Sequence, residues 1–467
     1  MKKIRIPNTL VLIFWIMALM AALTYLIPGG QYERITVNGR KLLDPASYQS
    51  VPHVPQGLFA LLMAPLKGFV QAANIIGFIF IVGGAFFVIQ ETGALEALIN
   101  KISRLHARSR LMRVLFIPIT ITIFSVFGSV FGMSEEVIAF ILLFVPLAVS
   151  LGYDSIVGVS LPFVGAGAGF AGAFLNPFTV GIAQGIAELP PFSGFGYRFV
   201  VWLVVTAIAI GFVAFYAHRI RRNPERSPVY RIDEYWRAGR HLQDQQPQTA
   251  TMTKRHALIL IIFALAMVGL ILGVTLFGWY IDEIAALFLG TALLIGLVSH
   301  LSIDQITKTF VRGAGELMTV AFIIAMARAI LVIASDGRII DSILHSLAGV
   351  FTGTHPVFAA QLMFVVQSVI NVFIPSGSGQ AALVMPVMSP LSDLLHVSRQ
   401  TAVLAFQLGD GLTNLIIPTS GVTMGVLGLA RIPYVKWFRW MLPLQIIFFV
   451  AALLLLIPPV LLSWGPF

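Results

Sequence analysis

Hydrophobic runs long enough to cross a membrane alternate along the chain with polar segments. A helix of about 20 apolar residues spans the hydrocarbon core of a bilayer. The first run, at residues 9–27, is too long for the core of a typical signal peptide, so we interpret it as a retained span. Six further spans are predicted at residues 73–91, 197–217, 256–276, 281–299, 318–336 and 438–461. The pattern predicts an all-α polytopic membrane protein.

Two longer hydrophobic stretches are interrupted by polar, Gly-rich sequence. The segment GSVFGMSEE interrupts the first at residues 128–136, and FIPSGSGQ interrupts the second at 373–380. Irregular backbone survives at membrane depth only where protein buries it or a water-filled cavity wets it. We therefore interpret residues 111–150 and 355–395 as re-entrant hairpins whose tips reach a common cavity.

A Gly-rich segment with a helix break follows each hairpin. GAGAGFAGAFLNPFT, at 165–179, lies in a predicted span at 155–187, and GDGLTNLIIPTSGVT, at 409–423, lies in one at 399–430. The proline in each removes a helical hydrogen bond and favours a real break. The Gly and Ala residues could instead serve close helix packing in lipid. The same order in both halves predicts two inverted repeats, an arrangement typical of carriers.

Basic residues gather in three clusters, and the largest of them divides the chain. The predicted domains are a first repeat at 1–217, a basic linker at 218–255 and a second repeat at 256–467. Of the 30 Lys and Arg residues, most lie in or near this linker and the shorter clusters at 101–113 and 431–439, as the positive-inside rule predicts for cytoplasmic segments. This distribution argues against a nucleic-acid partner. It predicts a bacterial inner (cytoplasmic) membrane protein with a cytoplasmic N-terminus.

Several shorter segments show weaker patterns of secondary structure. Residues 31–56 are polar and Pro-containing, and we expect an ordered loop there. Amphipathic patterns at 57–72, 94–110 and 338–350 predict helices that lie along the membrane faces. The linker is expected to contain a short surface helix near 232–240.

Polar and ionisable residues at the first tip and the two breaks are candidates for a binding site. An ionisable residue at membrane depth is costly, so function is its default explanation. Glu135 and Glu136 could contact a cationic substrate or carry a proton. Their alternative role is local, because Ser134 could cap a helix whose positive N-terminal end the acids favour.

The second repeat supplies the other half of the candidate site. Asp410 and Asn414 are four residues apart and therefore share a helix face, either as ligands or as polar contacts between helices. Ser376 and Ser378 could cap a helix whose amide end receives a carboxylate. The complete set of predicted substrate- or ion-binding residues is Ser134, Glu135, Glu136, Asn176, Thr179, Ser376, Ser378, Gln380, Asp410, Thr413, Asn414, Thr419, Ser420 and Thr423.

One arginine lies in the middle of a predicted span. Arg328 is surrounded by the apolar sequence AFIIAMARAILVIAS. It could pair with a carboxylate such as Glu91, Glu283 or Asp410, or extend to an interface.

The composition and the absence of certain motifs argue against several kinds of site and mechanism. The chain has no cysteine, which excludes disulfides and thiolate ligands, and its nine histidines show no HExxH spacing. We therefore expect no metal and no cofactor. The absence of a GxxxxGK[ST] motif argues against ATP-driven pumping. A secondary transporter is the leading interpretation, a channel is the first alternative, and an intramembrane enzyme using paired carboxylates is the second.

The motif order also resembles a known family. A hairpin with GMSEE, a broken span with NPFT, a basic linker, a hairpin with PSGSGQ and a broken span with DGLTN and IPTSG are similar to the YfcC-like carriers, which are related to the DcuC anaerobic dicarboxylate carriers of the ion transporter superfamily. The resemblance implies a homodimer held by a scaffold domain that includes Arg328. It also implies an elevator movement of the hairpins and broken helices.

The resemblance carries an expected substrate and coupling as well. It implies symport or antiport of small amino acids, with basic amino acids preferred, coupled to H⁺, to Na⁺ or to substrate exchange. Sodium-coupled dicarboxylate relatives carry Ser-Asn-Thr at both tips. This chain instead has Ser134-Glu135-Glu136 at one tip and Ser376 to Gln380 at the other. A dicarboxylate or another short carboxylate stays the alternative substrate.

Overall fold

The chain is an all-α polytopic membrane protein with one small β-region. The computed structural model describes residues 9–37, 40–43, 47–95, 97–99, 101–102, 109–238, 252–277, 279, 281–348 and 355–465. Across these residues, seven helices are long and apolar enough to cross a membrane.

The first half of the chain is a succession of long and short helices, followed by a short one in the linker. These are α1 (Thr9–Leu26), α2 (Leu58–Gln71), α3 (Ala73–Glu91), α4 (Arg110–Phe131), α5 (Val137–Ser150), α6 (Ser155–Val159), α7 (Gly165–Ala171), α8 (Ile182–Ile186), α9 (Phe195–Arg222) and, in the linker, α10 (Glu234–Arg237). The π-helical turns Ser160–Val164 and Pro177–Gly181 precede α7 and α8. A 3₁₀ turn, Pro224–Arg226, follows α9.

The second half repeats this succession of long and interrupted helices. Its helices are α11 (Lys254–Phe277), α12 (Ile281–Val298), α13 (Ile303–Gly315), α14 (Met318–Asp336), α15 (Ile340–Ala348), α16 (Pro356–Phe373), α17 (Gly377–Leu394), α18 (Arg399–Thr413), α19 (Gly421–Leu429), α20 (Tyr434–Leu455) and α21 (Ile457–Leu461). The predicted membrane spans therefore coincide with helices, and helices flank each predicted hairpin tip and break.

The segment after α1, where an ordered loop is expected from the sequence, contains short strands. It forms β1 (Gly29–Gln31), β2 (Arg34–Val37), β3 (Arg40–Leu43) and β4 (Gln49–Val51). Two antiparallel pairs result, β1 with β4 and β2 with β3. Strands this short have too few residues for a clear alternating pattern, and they form because pairing satisfies the backbone groups.

The shorter predicted helices have mixed outcomes. The segment at 57–72 is helical as α2, and α15 covers most of 338–350. Of 94–110, residues 94–95, 97–99 and 101–102 are helical, whereas 103–108 lie outside the described residues. The linker helix α10 has only four residues, and 239–240 lie outside the described part. Helix α13, at residues 303–315, was not predicted because its many polar residues keep it from standing out as a hydrophobic run.

The helices pack as two groups joined at α19. In the scaffold group (α1–α3 and α11–α14), α14 packs on α1 and α2, while α3 packs on α12 and α13. In the hairpin group (α4–α9, α16–α18 and α20–α21), α4 packs along α7, α16 packs along α18, and α7 meets α18. Helix α19 packs on α14 of the scaffold group and on α5 of the hairpin group.

Glycines allow the closest of these contacts. A Cβ at Gly128 of α4 would lie 2.0 Å from the carbonyl oxygen of Ala166, and one at Gly169 of α7 would lie 1.8 Å from that of Ser125. Side chains at either position would separate the helices. The Gly-rich sequence before the first break therefore serves close packing, in addition to the break that follows it.

Candidate functional site

Both hairpin tips and both helix breaks border one cavity of about 320 Å³. This volume is near the lower end of the roughly 300–1,000 Å³ typical of small-molecule sites. The predicted residues that line it are Ser134, Glu135, Glu136, Thr179, Ser376, Ser378, Asn414, Thr419 and Ser420. Sequence positions almost 300 residues apart therefore meet in one place.

The first tip turns sharply between α4 and α5. Gly132 ends α4 with φ +70°, a left-handed conformation, and a Cβ there would lie 2.6 Å from Oδ1 of Asn176. After this turn, the Ser134 amide donates a hydrogen bond to Oε2 of the buried Glu136 at 2.9 Å. The N-terminus of α5 receives no side-chain cap, so the prediction that Ser134 caps this helix is wrong. Glu136 thus has both a local structural bond and a place in the cavity wall.

The second tip begins α17 with a serine cap, as predicted. Oγ of Ser376 accepts a hydrogen bond from the Gly379 amide at 3.3 Å. Gly377 allows the tip to approach both broken spans, since a Cβ there would lie 2.4 Å from Cγ2 of Thr179 and 3.0 Å from Oδ2 of Asp410. Ser378 lines the cavity beside it. The amide end of α17 is therefore directed to the same space as the first tip.

Each break restarts its helix with a polar cap beside the cavity. Oδ1 of Asn176 accepts hydrogen bonds from the amides of Phe178 at 2.9 Å and Thr179 at 3.3 Å. In the second repeat, Oγ of Ser420 accepts from the Thr423 amide at 3.3 Å. The Thr423 hydroxyl donates to the backbone oxygen of Asn414. Side chains thus replace the helical hydrogen bonds that the breaks remove.

Asp410 belongs to a buried polar cluster behind the cavity wall. Nδ2 of Asn414 donates to Oδ1 of Asp410 at 3.1 Å, which confirms that these two residues share a helix face. Oδ2 of Asp410 has no hydrogen-bond partner among the described residues. The buried hydroxyl oxygens of Thr179 and Thr419 also have no hydrogen-bond partner among the described residues. Buried oxygens of this kind are costly unless a proton, an ion or water satisfies them.

Asn371 of α16 organises this cluster and was not identified from the sequence. Its Nδ2 donates to the backbone oxygen of Asp410 at 2.9 Å, to Oγ1 of Thr413 at 2.7 Å and to Oδ1 of Asn414 at 3.0 Å. A polar residue buried in a predicted span was the available signal. These bonds also support the alternative that the Asp410 patch holds helices together.

Comparison with known sequences identifies the family. The sequence profile of DcuC, described as a C4-dicarboxylate anaerobic carrier, matches residues 6–460. The chain belongs to the DcuC family. This member is 36% identical over 473 residues to the Escherichia coli (strain K12) protein named "Putative basic amino acid antiporter YfcC", covering 93% of this chain and 92% of that protein. It is also 28% identical over 487 residues to an uncharacterized Haemophilus influenzae protein, covering 95% and 94% of the two chains.

Two solved transporters resemble this DcuC-family chain more distantly. The Alcanivorax borkumensis YdaH transporter has a TM-score of 0.43 and 17% identity, covering 98% of this chain and 100% of that one. Neisseria gonorrhoeae MtrF, from a class of antimetabolite efflux pumps, has a TM-score of 0.38 and 16% identity, with coverage of 97% and 95%.

Five predicted site residues of this DcuC-family protein lie behind the cavity lining. They are buried, and their side chains hold the tips and breaks in place: Asn176, Gln380, Asp410, Thr413 and Thr423. Gln380, for example, donates to the backbone oxygen of Gln367 at 3.0 Å and to its Oε1 at 2.7 Å. Within the described residues, no cluster of three or more His, Asp or Glu side chains could hold a metal ion.

The cavity also includes a charged residue that the family resemblance places in the scaffold. The side chain of Arg328 lines it together with those of Glu135 and Glu136. Glu91, one of the carboxylates suggested as its partner, pairs with Arg312 at 3.1 Å. The cavity wall therefore contains both signs of charge.

Proposed function

We propose that this DcuC-family protein is a secondary active transporter that exchanges small amino acids, with basic amino acids preferred. One observation carries the proposal: both tips and both breaks converge on a single cavity that contains two adjacent carboxylates. Irregular backbone at membrane depth is characteristic of carrier binding sites. The relative named as a basic amino acid antiporter supports the same substrate class.

The charges of the cavity suit a cationic amino acid. Glu135 and Glu136 supply negative charge for a guanidinium or ammonium group, while the capped end of α17 offers amides to a carboxylate. A cavity of about 320 Å³ accommodates one molecule of amino-acid size. The polar tips would then contact opposite ends of one zwitterion.

Asp410 is the proposed coupling group. Its unpartnered Oδ2 lies against Gly377 at the second tip, close to Thr179. A proton on this oxygen, or Na⁺ bound to it and the neighbouring hydroxyls, would satisfy the cluster. Exchange of one substrate for another, without an ion, is the third form of coupling.

The movement that we propose is an elevator. The hairpin group, to which both of the inverted repeats predicted at 1–217 and 256–467 contribute helices, would carry the cavity past the scaffold group. The few contacts between the two groups, mainly through α19, support this division. A homodimer joined through the scaffold, in a bacterial inner membrane with a cytoplasmic N-terminus, completes the proposal.

A dicarboxylate carrier is the second candidate, because the matched family is described by that substrate and Arg328 lines the cavity. Counterflow in proteoliposomes separates the two. Vesicles loaded with arginine should accumulate labelled arginine saturably, and Glu136→Gln should abolish this uptake while preserving the hydrogen bond to the Ser134 amide. Glu234→Gln, on the exposed face of α10, is the matched control.

The other outcomes select different functions. Succinate counterflow without arginine counterflow would assign the protein to the dicarboxylate carriers. Flux without saturation or counterflow would indicate a channel. Chemical conversion of the label would indicate an intramembrane enzyme.

A further inference from the structure

Arg328 is directed to the cavity by the register of α14 against α19. Val320 and Ile324 precede it by eight and four residues, on the same helix face. A Cβ at Gly428 would lie 2.5 Å from Val320, and one at Gly425 would lie 3.7 Å from Ile324. Successive turns of α14 thus follow α19 towards its beginning. The next turn places Arg328 opposite the break, where its half-buried side chain lines the cavity.

The backbone that carries Arg328 is fixed to the scaffold group. Gly68 of α2 packs so closely on α14 that a Cβ there would lie 2.3 Å from the carbonyl oxygen of Ala325 and 2.7 Å from the amide nitrogen of Ala329. Glu135 and Glu136, by contrast, precede α5 of the hairpin group. The positive and negative side chains of the cavity therefore come from different groups of helices.

We propose that Arg328 determines specificity by binding the carboxylate of the substrate from the scaffold side. The inference rests on the proposed transport function and adds the guanidinium of Arg328, on the scaffold side, to the amides of α17 as a second partner of the same carboxylate. A guanidinium matches a carboxylate through two parallel hydrogen bonds, which makes arginine selective for planar anions. A basic amino acid carries one carboxylate and two cationic groups, the complement of one arginine and two glutamates.

This assignment has a consequence for recognition. A substrate with both a carboxylate and a cationic side chain bridges the two groups, whereas a substrate that lacks the carboxylate loses its contact with Arg328 of the scaffold group. Arginine should therefore bind more tightly than agmatine, its decarboxylated analogue. The loss of one charge-assisted interaction typically weakens binding roughly 10- to 100-fold.

The test measures binding of arginine, agmatine and succinate to the purified full-length protein by isothermal titration calorimetry. Arg328→Gln should weaken arginine binding roughly 10- to 100-fold, whereas the binding of agmatine, a dication that the lost positive charge would repel, should not weaken. Arg328→Lys, which keeps the charge but loses the planar fork, should recover part of the affinity. Arg312→Gln, a change of the same type on α13, is the matched control. Melting curves of all variants establish that each is folded.

Two results would overturn the inference. Unchanged arginine affinity in Arg328→Gln would remove the side chain from the site, and an equal loss for arginine and agmatine would indicate a structural role. Failure of the proposed function looks different: wild type would bind succinate and not arginine. In that case a loss of succinate binding in Arg328→Gln would still support the carboxylate contact, and retained binding would reject it. If the folded wild type bound none of the three probes, both proposals would be rejected.

Discussion

The contact between α4 and α7 provides the sharpest test of the fold around the first tip. Gly169→Ala adds a single methyl group at the point of closest approach. An ideal Cβ at this position lies 1.8 Å from the carbonyl oxygen of Ser125 and 2.5 Å from its carbonyl carbon. The obstructing atoms belong to the backbone, so no side-chain rotation relieves the clash.

The size of the effect follows from the displacement required. Ordinary contacts begin near 3.4 Å, so α7 would have to move away from α4 by roughly 1.6 Å. Helix α4 cannot easily move away from α7 instead, because Oγ of Ser125 is hydrogen-bonded to Oγ1 of Thr206 at 2.6 Å and to Nε1 of Trp202 at 2.8 Å. Overpacking a rigid interior costs about 1–3 kcal/mol, and we expect the upper end of this range.

The assay is thermal unfolding of detergent-purified protein, followed by size-exclusion fluorescence. Gly169→Ala should lower the melting temperature clearly and reduce the yield of monodisperse protein. Gly211→Ala in α9 is the control, since a Cβ there meets nothing within 4 Å. On helix propensity alone the control should be neutral or stabilised by up to about 1 kcal/mol. If Gly169→Ala melted at the wild-type temperature, the packing of α4 on α7 described here would be wrong.

Three further substitutions test other parts of the structure. Asn371→Leu removes three hydrogen bonds from the buried cluster and should destabilise the protein by roughly 2–4 kcal/mol, measured by thermal unfolding; a wild-type melting temperature would contradict the cluster. Gln400→Leu removes the acceptor, 2.9 Å away, of the buried Arg198 guanidinium and should destabilise by about 2–3 kcal/mol in the same assay. Gln361→Leu, in the second turn of α16, removes a bond between uncharged groups and should cost less. Burial raises the pKa of Asp233, in the linker, from 3.8 to about 6, so the folded state retains a proton that the unfolded chain has lost. The free energy of unfolding should therefore fall by at most about 3 kcal/mol as pH rises from about 4 to 6. Asp233→Asn, which can still accept a hydrogen bond from the Ser155 amide, should remove this part of the pH dependence. Identical pH profiles of the variant and the wild type would refute the assignment.

Much of the fold was predictable because membrane solvation acts on short stretches of sequence. A helix such as α3 or α14 needs only its own apolar residues to be recognised, since the bilayer demands about 20 of them in succession. The breaks were equally local, because Pro177 and Pro418 cannot continue a helix. Gly169 shows a limit of this reasoning: close packing and a break were treated as alternatives, and the segment contains both.

Contacts between segments that are distant in the sequence were harder to predict. Ser134 has the residue type of a helix cap, but the N-terminus of α5 receives no side-chain cap, and the Ser134 amide instead donates to the Glu136 carboxylate. Asn371 bonds to residues about 40 positions away, and no local pattern indicates that they meet. The strands β1 to β4 were not predicted for a different reason, since three or four residues give no measurable periodicity of apolar and polar positions.

Arg328 illustrates why charge in a membrane helix cannot be interpreted from its own span. Its neighbours in sequence are apolar, and they allow either an ion pair with a carboxylate or extension of the side chain to an interface. Its actual surroundings depend on the register of α14 against α19, which the glycines at 425 and 428 set by allowing contact with Ile324 and Val320. Because that contact joins the two helix groups, the position of Arg328 relative to Glu135 and Glu136 depends on how the groups are arranged. The electrostatics of the cavity is therefore a property of the interface between the groups, and a movement of the hairpin group along α14 would change which charges face the same substrate.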